Sequence, residues 1–586
     1  MAVLPSPSNT AQPQAQGFEA NLDDLFLRFA VGPGRQMQIN TAPLQAQAIQ
    51  TSETPEDFQQ EFGQIYSRTN FSGGEGLDKA HRREGTPNDF SRFWDSKGID
   101  VFHAEQDNSY SVRLLKDVEQ KTLTLSSENN YLAQTTNGYM YITDGTSIYQ
   151  STNEGVTWTA MTSTGVSYEI QGIVAFGNDI YIVTGDGGTN KQLISYDLSA
   201  TTFTTENLGS VFTGAFTGIW FAKGTLFVSG KSTTAEYLWQ TSPFTANFSG
   251  EFQVADALVT TEPTHQFTSV VDAGAVVLAG NTDSNVYSLK IDGGTWSLKG
   301  QTQLAFEEIH SLAATEGIVY IGTKGYQANT GRFYTAELTV ADNLYVLANR
   351  QLIKEWDNGV DQSPHSMFVT RDSVYMGIHE SATETNLWRY YLPTAGIARD
   401  LSVTHTSDTN AKVTGITQTG TTGGKFIILI SGVGVYKQTD TYVSTGYVIS
   451  ALADFYTSEK KQWVGAKLNT NGVSFGTVEL ATTTIPNDIN DSTSSTWDPQ
   501  ISVASGTGGE EEVLELVQGR WMSAKLTITT SDTSQSPELL SFAVRGFQLV
   551  NDLVVDMPIN ISDQVERPFR KALRVNGQGD LIYQAL

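Results

Sequence analysis

The amino-acid sequence predicts an all-β chain: a seven-bladed β-propeller followed by a C-terminal β-sandwich, with extended N- and C-terminal arms. Three observations lead there. A hairpin motif recurs at intervals of 40 to 55 residues between Tyr141 and Ile428. The composition, with 53 Gly, 28 Phe, 23 Tyr and only 17% charged residues, suits pleated half-buried strands joined by turns with positive φ. After Thr441 the repeat gives way to shorter segments of alternating polarity.

The repeat is clearest in IHSLAATEGIVYIG (Ile309 to Gly322) and PHSMFVTRDSVYMG (Pro364 to Gly377), which align without a gap. Both read as an apolar strand, a tight turn, then a strand carrying an aromatic. The same anchor position falls at Tyr141, Tyr181, Phe227, Leu278, Tyr320, Tyr375 and Ile428. A third strand with an aromatic or aliphatic pair follows each, as at Leu238-Trp239 or Val286-Tyr287. A period of about 40 to 50 residues marks blades, and radial stacking buries both faces of every small sheet and leaves only short edges. A β-solenoid needs a shorter, stricter period, and two successive sandwiches do not explain seven similar units. The run Tyr110 to Ser126, YSVRLLKDVEQKTLTLS, is placed to lend the seventh blade its outer edge and close the ring.

Residues 1–97 are assigned to an N-terminal arm and pre-propeller segment, 98–445 to the propeller, 446–550 to the sandwich and 551–586 to a C-terminal arm. Phe18 to Ala30 reads as an amphipathic helix, with Leu22, Leu25, Phe26 and Phe29 near one face. Phe71 to Trp94 mixes Gly, Arg and aromatics without a period, as expected of a strap over its own propeller or of an arm ordered by another surface. The sandwich is read from strands at Tyr447 to Ala451, Gln462 to Leu468, Gly476 to Ala481, Val513 to Val517, Met522 to Thr530 and Leu539 to Val544. Phe26, Phe29 and Trp94, with the late basic cluster Arg567, Arg570, Lys571 and Arg574, are the candidate partner-binding residues: apolar surface without a domain to bury it orders on a partner, and a basic cluster on an acidic molecule suits an acidic protein partner.

Composition narrows function. A net charge of −27 repels DNA, whose recognition rests on Lys and Arg neutralising phosphates. The chain has no Cys, which removes disulfides, Cys-based zinc sites and thiol chemistry. Met1 to Gly17 is polar and Pro- and Gln-rich, unlike a signal peptide, and no apolar stretch reaches membrane-span length. A soluble product made in a cytoplasm is expected, with no membrane insertion.

Motifs of chemistry are sparse. STNEGVTW (Ser151 to Trp158) resembles the Asp-box of sialidases and related propellers, with Asn153 in place of the Asp; in that family the box braces a hairpin turn. A sialidase needs three arginines from different blades around one carboxylate, yet no Arg occurs between Asn130 and Gly331. His310 and His365 occupy equivalent positions in adjacent repeats where Thr217 and Thr268 stand in others, so a polar residue at strand entry is the expectation there. GDGGTN (Gly185 to Asn190) lacks the ending of a phosphate-binding loop, and the acidic loop Asn487 to Asp498 lacks the Gly and terminal Glu of an EF-hand. No cofactor, metal or catalytic residue is expected.

FSGGEG (Phe71 to Gly76) with FSRFWDSKGIDVF (Phe90 to Phe102), the degenerate propeller, and GRWMSAKLTITTSDTSQSPELLSFAVRGF (Gly519 to Phe547) together resemble the propeller-bearing minor tail, tail-tip or baseplate proteins of long-tailed bacteriophages. The resemblance implies a non-enzymatic virion component. Its partners would be other tail proteins and copies of itself in three- or six-fold symmetry, with a host cell-surface receptor beyond them. The rival class is a lectin or glycosidase acting on surface polysaccharide.

Overall fold

A computed structural model describes residues 64–76, 92–103 and 111–548, apart from short interior segments, and the backbone of strands Gly17–Leu22, Leu25–Gly32, Gln36–Ile39 and Ile559–Asn560. No α-helix occurs among the described residues. The chain is all-β, and its blade-like four-stranded sheets are those of a β-propeller.

The first such sheet runs Leu132–Gln134, Met140–Asp144, Ser147–Ser151 and Thr159–Ala160, each strand antiparallel to the next. The same meander recurs from Ile170, Ala215, Phe267, Glu307 and Met367. A last sheet has three strands from Val413 to Tyr442, and its fourth is Lys116–Gln120, which precedes the first sheet in the chain. The edge expected from Tyr110 to Ser126 is therefore supplied by Lys116–Gln120. First strands pack side by side, each against the next, and that of the last sheet against that of the first.

Why these segments form these strands is plain from burial. Second strands such as Met140–Asp144 and Phe426–Ile430 are buried at every position, because both faces meet a neighbouring sheet. All seven anchors lie on second strands and are at most 7% exposed. Outer strands such as Thr202–Thr205 are mostly exposed and correspondingly rich in Thr. Burying each anchor contributes about 1.5–3 kcal/mol, repeated around the molecule. The Asp-box variant is a turn brace: Asn153 Oδ1 accepts from the Thr157 amide at 2.9 Å, its amide donates to the Thr157 hydroxyl at 2.8 Å, and Ser151 Oγ accepts from the Gly155 amide at 2.9 Å.

The sixth sheet does not end at its fourth strand, Gly396–Thr404. It continues through Gly74–Glu75, Arg92–Lys97, Thr445–Ser450, Ser523–Thr530, Gly476–Thr483 and Asp498–Ala504. A second sheet, built on Lys461–Asn471 and Glu538–Gln548 with Val112–Leu114, Ile99–Asp100 and Gln64–Arg68, shares one core with this extension. That core joins Trp463, Phe542 and Leu526 to Tyr66, Phe71 and Phe93. Gly74, at φ 77°, pairs in parallel with Ile397 so closely that a Cβ would lie 2.2 Å from the Ile397 nitrogen; only glycine fits.

Four expectations are corrected here. Residues 64–76 and 92–97 are not an arm but strands of the C-terminal unit, since period-free apolar residues such as Tyr66 and Phe93 find their partners more than 300 residues away. For the same reason the boundary at 97/98 is not one: Ile99–Asp100 and Val112–Leu114 belong with that unit, and the propeller's own strands begin at Lys116. Asp498–Ala504 and Gly509–Glu512 are additional strands, while of Val513 to Val517 only Val517 lies within the described residues. Finally, Phe18 to Ala30 holds two antiparallel strands rather than a helix, with Leu22 opposite Leu25. Its apolar residues fit a period of two as well as 3.6. That pair continues to Gln36–Ile39, which pairs with Ile559–Asn560, so both arms share one sheet.

Propeller and C-terminal unit are locked by charge. Arg399 donates to Glu380 of its own sheet at 3.0 and 3.1 Å, to Asp95 at 2.6 Å and to the Ser96 carbonyl at 2.8 Å. Trp388 Nε1 also donates to Glu380, at 2.7 Å, and the Tyr447 hydroxyl donates to Asp95 at 3.2 Å. Lys354 pairs with Glu75 beside them. Burial raises the Glu75 carboxyl above the ordinary range against the pull of Lys354, whereas Arg399 overcomes the same burial effect at Glu380 and holds it low.

Candidate functional site: the channel between the inner strands

In five inner strands one extra residue interrupts the register: between Ile170 and Gly172, Phe216 and Gly218, Phe267 and Ser269, Ile309 and Ser311, and Val413 and Gly415. A bulge re-aims its extra side chain. The extra residues, Gln171, Thr217, Thr268, His310 and Thr414, all line one cavity of about 400 Å³ together with His365 of the sixth sheet and Tyr131 of the first. A small residue follows each of the six polar ones, because adjacent strands approach too closely for more. A Cβ on Gly415 would lie 2.5 Å from that of Leu132, and one on Gly172 would lie 3.0 Å from Ile219. This polar-then-small pair (QG, TG, TS, HS, HS, TG) was the sequence signal for the channel, of which the reading by strand entry caught only half.

The ring is not electrostatically uniform. His310 and His365 meet edge to face, centroids 4.4 Å apart. His310 Nε2 lies 3.4 Å from Glu308; His365 Nε2 lies 3.0 Å from the Ser363 hydroxyl and 3.7 Å from Asp361, which Lys324 holds at 2.9 Å. Burial, then the neighbouring His310, pushes His365 down to about 3, so it is neutral at pH 7. Thr217 donates to Glu236 at 2.5 Å, and Thr268 donates to the Ile309 carbonyl at 2.7 Å.

Glu236 is fully buried, and burial pushes its carboxyl up to about 7 despite the Thr217 bond. A folded pKa above the unfolded value of about 4.3 gives stability that is present below the unfolded pKa and is lost as pH rises through 7. Glu236→Gln keeps the acceptor for Thr217 and removes the buried charge. It is expected to raise stability by about 3.5 kcal/mol at pH 8 and to have no effect near pH 4, as read from urea denaturation at the two pH values; an equal shift at both would show that burial does not hold the Glu236 proton.

The arginines after Gly331 stand elsewhere. Arg332 pairs with Glu307 and Glu355, both at 2.7 Å, Arg389 with Asp372 at 3.7 Å, and Arg399 with Glu380 and Asp95; none lines the cavity. Among the described residues no cluster of three or more His, Asp or Glu is arranged to hold a metal. Of the residues proposed for partner binding, Trp94 is 9% exposed and buried within its own chain, which corrects its assignment to a free surface. Phe26 and Phe29 fall on strand Leu25–Gly32, with their side chains outside the description, and Arg567, Arg570, Lys571 and Arg574 lie outside the described residues.

No family model and no curated protein matches the chain. Solved structures similar to it include a chain of the Mitotic Checkpoint Complex (13% identity, TM-score 0.39, 55% of this chain and 93% of that one). YCF48 bound to D1 peptide is similar at 13% identity and TM-score 0.38, over 55% of this chain and 95% of that one. So is the β-propeller domain of Nup133 from Vanderwaltozyma polyspora, at 9% identity and TM-score 0.38, over 55% and 96%. Likenesses at this level say nothing about function.

Proposed function

We propose that the chain is a non-enzymatic structural protein of a phage tail tip or baseplate, a closed ring of seven blades joined to a C-terminal β-sandwich. The chain assembles with other tail proteins and with copies of itself, and contacts the host surface. The ring reading is supported by the seven four-stranded units and by the strand Lys116–Gln120 that completes the last of them; the sandwich reading is supported by two sheets over one core. The observation that carries the scaffold reading is the junction. One ten-stranded sheet runs from the sixth blade into the C-terminal unit, and its buried ion pairs oppose hinge motion between the two. An enzyme working by closure of a cleft needs the opposite. The sheet shared by both arms offers edges for pairing with other chains.

The test is mass spectrometry of purified tailed particles from the genome that encodes this chain, beside particles made without it. Presence in tails at a fixed copy number, with tail assembly or adsorption lost on deletion, is the expected result. Normal infectious particles without the chain overturn the proposal. One observation favours a second reading, a glycan-binding propeller: the channel cavity and its polar lining. Retention of the chain on a glycan array supports that reading, and its absence from every glycan removes it.

A further inference from the structure

We infer that the channel cavity binds a small uncharged polyol, a saccharide of one or two rings. The inference deepens the glycan-binding reading and does not rest on the virion one. Its first support is charge: the chain carries −27, yet no Asp, Glu, Lys or Arg lines the cavity. Of the carboxylates behind the lining, Glu307 is engaged by Arg332, Tyr334 and Thr323, Asp361 by Lys324 and one oxygen of Glu236 by Thr217. An anion finds no cation there and a metal finds no cluster of ligands, whereas hydroxyls find neutral donors and acceptors.

Unspent hydrogen-bonding capacity is the second support. Thr414 Oγ1 is buried without a partner. The Gln171 side-chain amide reaches only the Gly185 carbonyl, at 3.4 Å, which leaves its own oxygen for a ligand. Buried polar groups are nearly always satisfied, so Thr414 Oγ1 asks for a bound molecule. Trp220 adds an apolar face. Its indole is laid over Gly218, where a Cβ would come within 2.4 Å of the ring, so glycine at that position makes room for the ring at the cavity wall. A flat aromatic surface beside a few placed polar groups is the usual make-up of a small-ligand site, and 400 Å³ falls in the range of about 300–1,000 Å³ typical of such sites.

The test is calorimetric titration of the full chain with neutral mono- and disaccharides, with glucuronate and inorganic phosphate as charged counterparts, repeated on Thr414→Val, Gln171→Leu and Trp220→Leu. At least one neutral sugar is expected to bind. Each of the first two substitutions should weaken it roughly tenfold, the effect of one buried hydrogen bond, at unchanged melting temperature, and Trp220→Leu should weaken it further. Sugar binding that Thr414→Val and Gln171→Leu leave intact overturns the channel site while sparing the glycan-binding reading. No binding of any neutral sugar overturns both, and equal binding of glucuronate or phosphate overturns the ligand class. Incorporation into particles is measured separately and does not depend on these outcomes.

Discussion

Replacing Arg399 by alanine is expected to destabilise the chain by about 3–5 kcal/mol, the range for breaking a buried ion pair by removing one partner. The side chain is 18% exposed, and its loss takes the guanidinium away from two carboxylates, Glu380 and Asp95, at 11% and 15% exposure. Lys354, the nearby lysine, is committed to Glu75. Of the side-chain donors, Glu380 would keep the Trp388 indole, at 2.7 Å, with Asn386 beside it. Because Arg399 reaches from the sixth propeller sheet to Asp95 and Ser96 of the C-terminal unit, the loss should also uncouple the two. Equilibrium urea denaturation should change from one transition to two, and protease should gain access near residues 92–97. Arg399→Lys keeps the charge but cannot hold Glu380 and Asp95 with one planar fork, so it should fall between. A single, unshifted transition in Arg399→Ala would mean that water replaces the guanidinium and that the shared sheet alone joins the units.

How much of this was legible in the sequence follows from the range of each interaction. The propeller was readable because every blade is local: anchors such as Tyr320 and Tyr375 pair with strands within about twenty residues, so the signal repeats in the chain itself. The pairing of Lys116–Gln120 with the last sheet was readable because that sheet has only three strands of its own. The C-terminal unit was half readable. Its own strands alternate, but its completion by Gln64–Arg68 and Gly74–Glu75 depends on pairings across more than 300 residues, and a two-residue strand carries no period. Trp94 and Tyr66 therefore looked partnerless when their partners were distant in the chain. The bulges of the channel were invisible for a different reason: an extra residue in a strand shifts register without changing composition, and only the recurring polar-then-small pair betrays it.

Acid should expose the channel's weakest point, and the effect should reside in His365. Its folded value of about 3 lies below the unfolded value of about 6.5, so between those values the unfolded chain binds the extra proton. Stability attributable to His365 is therefore complete above pH 6.5 and is lost as pH falls toward 3, at about 1.4 kcal/mol per unit. From pH 7 to 4 that amounts to about 3 kcal/mol. The surroundings explain the direction: His310 faces it edge-on, Lys412 adds repulsion, and Asp361 is shared with Lys324. His379, stacked on His405 with centroids 5.8 Å apart, is lowered by burial and then by His405, and it loses stability in the same direction. Glu236 and Asp400, both raised to about 7 by burial, oppose the trend, so the comparison must be between chains rather than between pH values alone. His365→Thr follows the residue that other blades use at this position, Thr217, Thr268 and Thr414. Its urea-denaturation free energy should fall about 3 kcal/mol less than that of the parent chain between pH 7 and 4. Parallel curves for the two chains over that range would show that His365 takes up its proton freely in the folded channel and that the pairing with His310 carries no electrostatic cost.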